Sequence, residues 1–229
     1  MRTRLKVCCI SSIEEASIAI AAGADALGLV ANMPTGPGPI SDLRIREIAA
    51  KTPAGVATFL LTSRDDPRSI IEHVRATGVG TVQLVDDTLG EDVWSELRNE
   101  LPATRVVQVI HVRDERSLAA ALAAAEWVHA LLLDSGNPAA RELGGTGRVH
   151  DWAISREIVQ RSPAPVFLAG GITPSNVAEA IREVRPFGID LCSGVRTNGA
   201  LDATKLGALV EAMRDADALV RAERARECG

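Results

Sequence analysis

A chain of 229 residues with 46% hydrophobic side chains can bury a sizeable core, as one large α/β domain or two small ones, and it holds no apolar run of eighteen residues that would cross a bilayer. A net charge of −5 leaves no basic face for a nucleic-acid partner. Four cysteines (Cys8, Cys9, Cys192, Cys228) are too few for a disulfide scaffold, and the start Met1–Lys6 lacks the apolar core of a signal peptide, so reduced thiols and a cytoplasmic location are expected.

Short apolar runs alternate with helical patterns along the whole chain. The first run, Leu5–Cys9, precedes a helix expected over Ile13–Ala22, opened by Ser12 with Glu15 three residues on, as in a capping box. After the helix stop at Gly23 comes Ala26–Val30, and Ser41-Asp42 then caps a helix over Leu43–Lys51. Val56–Leu61 leads into Pro67–Thr77, which should end at Gly78 and Gly80 before the strand Thr81–Val85. A helix at Asp92–Leu101, a strand at Arg105–Ile110, a helix at Glu115–Ala125 and a strand at Ala130–Leu133 follow. The series closes with a helix at Trp152–Arg161, a strand at Pro165–Ala169, a helix at Asn176–Arg185 introduced by Pro174-Ser175, a strand at Gly188–Cys192 and a helix at Leu206–Arg221. Eight strand–helix repeats without a linker imply one domain over residues 1–229, an α/β fold of the (β/α)8 TIM-barrel type, with a doubly wound open sheet as the alternative.

In such barrels the chemistry lies at the C-terminal ends of the strands. Glycines follow the seventh strand (Gly170-Gly171) and the eighth (Ser193-Gly194), where exposed backbone N–H groups beside a helix start can hold a phosphate without a lysine. Asp134 ends the apolar run Leu131-Leu132-Leu133, a setting that can raise a carboxyl pKa for acid catalysis, although most such aspartates only cap a loop. Cys8 closes the first strand and could act as a thiolate base if Lys6 or nearby N–H groups lower its pKa, whereas a strand cysteine is by default a small buried hydrophobe. Asp86, His111 and Asp134 lie at or just past three consecutive strand ends, a pattern that would suit Zn²⁺ or Fe²⁺ if the side chains converged. His111 falls beyond its apolar run and should face solvent, and His73 and His129 have no partner spacing and read as surface residues; His150 reads as a loop or packing residue, so no metal is expected.

The motifs Lys6-Val7-Cys8-Cys9-Ile10, Gly23-Ala24-Asp25-Ala26-Leu27-Gly28, Val82-Gln83-Leu84, Leu132-Leu133-Asp134-Ser135, Gly144-Gly145-Thr146-Gly147 with Asp151-Trp152, Leu168-Ala169-Gly170-Gly171 with Asn176-Val177, Val184-Arg185-Pro186 and Asp190-Leu191-Cys192-Ser193-Gly194-Val195 resemble, in order and over the whole chain, the phosphoribosylanthranilate isomerase family. The resemblance implies a cofactor-free Amadori rearrangement of a phosphoribosylated amine in tryptophan biosynthesis. It implies Cys8 as general base and Asp134 as general acid. Gly145, Gly147, Gly170, Gly171, Ser193 and Gly194 would hold the phosphate, with Gln83 and Asp190 shaping the site. The implied partner is a small phosphosugar, with neither nucleic acid nor membrane, and the chain would act as a monomer or homodimer.

Several positions depart from that pattern. Cys9 stands where the family carries a glycine, and strand alternation would turn it away from the barrel centre. The loop Pro34–Ser41 has no charge, with Gly38 where the family supplies an arginine for the anthranilate carboxylate; Val85 replaces a histidine and Gln108 a basic residue. Arg196 or Arg64 could substitute. Two other readings stay open: a paralogous isomerase for a different phosphosugar, and a non-catalytic phosphate-binding barrel.

Overall fold

In the computed structural model, which describes residues 2–135 and 151–227, the apolar runs become strands and the amphipathic ones the helices after them. The order is β1 (Arg4–Val7), α1 (Ile13–Ala21), β2 (Ala26–Val30), α2 (Asp42–Lys51), β3 (Ala57–Thr62), α3 (Pro67–Thr77), β4 (Thr81–Leu84), α4 (Glu91–Glu100), β5 (Arg105–His111), α5 (Arg116–Ala125) and β6 (Ala130–Asp134). Then come α6 (Trp152–Arg161), β7 (Val166–Leu168), α7 (Val177–Val184), β8 (Gly188–Leu191), a hairpin of β9 (Arg196–Thr197) and β10 (Ala200–Leu201), and α8 (Ala203–Glu227). Strands β1 to β8 pair in sequence order and in parallel, and β8 pairs with β1, so the sheet closes; the open-sheet alternative is excluded. Among the described residues no helix is long and apolar enough to cross a membrane.

Local chemistry sets the boundaries. The Ser12, Ser41 and Asp66 side chains each accept a hydrogen bond from the backbone N–H three residues on, starting α1, α2 and α3, and Gly78 at φ +70° ends α3. The β9–β10 hairpin, absent from the sequence reading, turns on Asn198 (φ +50°) and Gly199 (φ +82°), the two positive φ values of a type I′ turn. α8 begins three residues earlier than expected, because Asp202 accepts hydrogen bonds from the N–H groups of Thr204 and Lys205 at its start, and it runs on to Glu227.

Alternation along the strands divides the core in two. One face, with Leu27, Leu29, Leu60, Leu131 and Leu133, packs under the helices; the other, with Ala26, Val30, Phe59, Leu61, Val107, Val109, Leu132 and Phe167, fills the barrel. The chain's three phenylalanines meet edge to face near the strand starts, Phe59–Phe167 at 6.0 Å and Phe167–Phe187 at 5.3 Å between centroids. Gly188 makes room for this stack, since a Cβ there would lie 2.6 Å from the Phe167 ring.

Two histidines expected on the surface are structural. His73 is buried, with Nε2 3.0 Å from Asp42 Oδ1 and Nδ1 3.3 Å from Thr62 Oγ1, and burial lowers its pKa despite Asp42. His129 is half-buried and its Nδ1 accepts from the Val106 N–H. Both became legible only once the helices were docked, because their partners lie on other elements.

Candidate functional site

At the C-terminal ends of the strands, Cys8, Gln83, Asp134, Gly170, Gly171, Asp190, Ser193 and Gly194 line a single pocket. Gly145 and Gly147, also expected there, lie outside the described residues, as does His150.

Beneath the pocket Lys6 is fully buried and faces Asp190 across 2.9 Å, on paired positions of β1 and β8. The approach is not aligned as a hydrogen bond, so Lys6 Nζ and Asp190 Oδ1 both keep unused bonding capacity. Burial opposes charge on Lys6, but the attraction of Asp190, with the Cys8 thiol beside it, prevails and lifts the ammonium above its ordinary pKa. Burial also pushes Asp190 up, and Lys6 offsets this only in part. The Phe59 ring, 5.3 Å from Lys6 Nζ, supports the cation from below. Gly28 completes the arrangement: a Cβ there would lie 2.8 Å from Cys8 Sγ and 3.2 Å from Lys6 Nζ, so thiol and ammonium border the same gap.

Cys9 corrects an expectation. β1 ends at Val7, and Cys9 adopts φ +60°, so strand alternation no longer governs it; its side chain joins Cys8 in the pocket wall. Its Sγ lies 2.7 Å from Cys192 Sγ. Arg196 secures this turn by donating to the carbonyls of Cys8 and Cys9 while pairing with Glu15 at 2.8 Å. Burial tends to raise the Glu15 carboxyl, but the hydrogen bonds from Arg196 and from the Leu201 and Ser11 N–H groups bring it down to about 2. Sequence reading placed Glu15 in a capping box and left Arg196 as a possible carboxylate ligand; no local pattern shows that they find each other across 181 residues.

Asp134, at the end of β6, is largely buried, and its Oδ1 accepts from the Ser135 N–H at 2.7 Å. After β7, Gly170 (φ +82°) and Gly171 (φ +64°) take successive left-handed conformations that side chains resist. Asn176 braces that loop, donating from Nδ2 to the Gly171 carbonyl and accepting from the Thr173 N–H. After β8, Gly194 lies so close to the Ile172 carbonyl that a Cβ would collide with it, so the two glycine loops form one rim. Gln83, on β4, is buried with Oε1 unpartnered.

The opposite rim is apolar: Val30, Met33, Pro37, Leu61, Val85 and Val109 line it, and among the described residues no lysine, arginine or histidine lines the pocket. Gln108 is not part of that rim, contrary to expectation. It accepts from Trp94 Nε1 and donates to the Asp86 carbonyl, because β5 turns Val109 inward instead. Neither proposed substitute reaches the pocket: Arg196 is engaged as described, and Arg64 donates to the Ser69 carbonyl. His111, expected in solvent, is buried at the end of β5 with Nε2 3.3 Å from the Val85 carbonyl. Asp86 accepts from its own turn at Thr88, and among the described residues no group of three His, Cys, Asp or Glu side chains could hold a metal.

The family model for N-(5'-phosphoribosyl)anthranilate isomerase matches residues 5–212. The isomerase of Haloferax volcanii is 39% identical over 216 residues, covering 93% of this chain and 94% of its own, and isomerase 2 of Methanosarcina mazei is 38% identical over 205, covering 89% and 90%. The crystal structure of the Thermotoga maritima enzyme superposes with a TM-score of 0.78 at 29% identity, over 93% of this chain and 99% of that one. With a closed parallel barrel, a family model matched over residues 5–212 and relatives matched nearly end to end, the chain belongs to the N-(5'-phosphoribosyl)anthranilate isomerase family.

Proposed function

We propose that the chain, as one functional unit of residues 1–229, converts N-(5'-phosphoribosyl)anthranilate to its 1-deoxyribulose 5-phosphate product in tryptophan biosynthesis. The observation that carries this reading is the single pocket lined by a thiol just past β1, a carboxyl at the end of β6 and a glycine rim after β7 and β8. Asp134 donates a proton to the ribose ring oxygen, opening the ring to a Schiff base. Cys8, as thiolate, removes the C2 proton, and the resulting enolamine becomes the ketone. Lys6 Nζ borders the same gap at Gly28 as the Cys8 sulfur. Gly170, Gly171, Ser193 and Gly194, with Gly145 and Gly147, hold the phosphate, while Gln83 and Asp190 orient the sugar hydroxyls. Two titratable groups and an anchor suffice for this isomerisation, so no metal or cofactor enters it. The enzyme works in the cytoplasm on a small phosphosugar. It acts as a monomer or a homodimer.

The apolar rim supports a weak grip on the anthranilate carboxylate. A charge-assisted hydrogen bond contributes about 1.5–3 kcal/mol, so KM should be at least about tenfold above that of an arginine-bearing relative, with a smaller change in kcat. The test is complementation of a tryptophan auxotroph lacking this isomerase, followed by steady-state assay. Complementation with raised KM supports the reading. Soluble protein that is stabilised by ribose 5-phosphate but fails to complement would move the assignment to an isomerase for a phosphosugar with an uncharged amine substituent.

A further inference from the structure

Cys9 and Cys192 leave the ends of neighbouring strands, β1 and β8, and meet in the pocket wall with their sulfurs 2.7 Å apart. That separation lies between a disulfide bond, about 2.0 Å, and ordinary contact of two sulfurs. Cys9 holds φ +60°, a conformation that residues with a Cβ avoid, and this turn is what aims its thiol at Cys192. The turn is also clamped: Arg196 holds the carbonyls of Cys8 and Cys9, and Gly38 packs against Cys9, where a Cβ would lie 2.8 Å from the Cys9 Cβ.

We propose that Cys9 and Cys192 form a reversible disulfide that shuts down the active site, made by exchange with a low-molecular-weight disulfide. Cys192 is the half-buried, more accessible member. The contact with Cys9, with Arg196 nearby, pulls its thiol below the ordinary value, while the same contact and burial hold Cys9 up. The Cys192 thiolate attacks one sulfur of the small disulfide, forming a mixed disulfide and expelling one thiolate. Cys9 then loses its proton and attacks Cys192 Sγ, expelling the second. Two protein thiols are oxidised, one disulfide is reduced to two thiols, and the two protons pass to the leaving groups. The new bond draws together the residue after Cys8 and the residue before Ser193. Closing the sulfurs from 2.7 Å to about 2.0 Å shifts the base and the phosphate rim by a fraction of an ångström, and a misplacement of about 1 Å can slow catalysis on the order of a hundredfold.

The test is equilibration of the whole protein with oxidised glutathione, read by thiol titration and by peptide mapping with fragmentation that separates Cys8 from Cys9. The expected result is loss of two of the four thiols, a Cys9–Cys192 linked peptide, and a fall in kcat/KM of at least about fivefold that dithiothreitol reverses. Cys192→Ser and Cys9→Ala should each form no crosslink, and their kcat/KM should change less than twofold between oxidised and reduced buffer. A crosslink through Cys8, glutathione adducts alone, four unreacted thiols, or a Cys9–Cys192 crosslink with unchanged kcat/KM would each overturn the proposal. The inactivation arm rests on the isomerase reading, but the crosslink is read by mass alone, so failure of one is distinguishable from failure of the other.

Discussion

The two rims of the pocket are built from different material. The β7–β8 rim is backbone: Gly170 and Gly171 in left-handed conformations, Gly194 pressed on the Ile172 carbonyl and Asn176 bracing the turn. The β2–β5 rim is apolar side chain: Met33, Pro37, Leu61, Val85 and Val109. A backbone rim cannot drift by substitution without a steric clash, whereas a side-chain rim can change its ligand while the barrel stays intact. The comparison teaches that the anchored half of the substrate is set by the fold, and the variable half by a few exchangeable residues.

The largest expected effect lies between the rims and depends on neither. Cys8→Ser and Asp134→Asn should each lower kcat by at least about a hundredfold in the isomerase assay, as loss of a general base or acid does. If either variant retained more than a tenth of the activity, the assigned roles would be wrong.

Next in size is a direct contrast of the rims. Gly194→Ala should displace the backbone rim from Ile172 and raise KM by at least about tenfold, whereas Met33→Ala on the other rim should change KM less than about threefold. Equal effects would mean that the two rims share one load.

The smallest effect concerns the clamp behind Cys9. Glu15→Gln should lower the melting temperature by several degrees at pH 7, since a folded-state carboxyl at about 2 against an ordinary 4.5 contributes stability in its charged form. Because the folded value is the depressed one, the contribution is complete above about pH 4.5 and is lost as pH falls toward about 2. Melting curves of wild type and variant should therefore converge across that window; a gap that stayed constant to pH 2 would show that the pair with Arg196 is not its source.

The strand–helix alternation of the barrel was legible because its strands are largely apolar runs and cap or glycine chemistry marks the helix ends between them, as at Ser12, Ser41 and Gly78. Cys8, Asp134 and the late glycines were legible because strand ends are where such barrels keep their chemistry. What escaped depends on contacts between distant elements: the pairing of Arg196 with Glu15, the burial of His73 and His111, and the inward turn of Cys9. Gln108 misled for the opposite reason, since a one-residue shift of strand face separates it from the pocket-lining Val109.

At the far end of the barrel, Thr3 is fastened to α8, its N–H and hydroxyl both donating to Asp217 across 214 residues of chain. During synthesis β1 emerges well before β8, so one edge of β1 stays open until Gly188–Leu191 has left the ribosome. Ring closure therefore waits on β8, and truncation anywhere before Gly188 should leave a sticky edge for chaperones to cover.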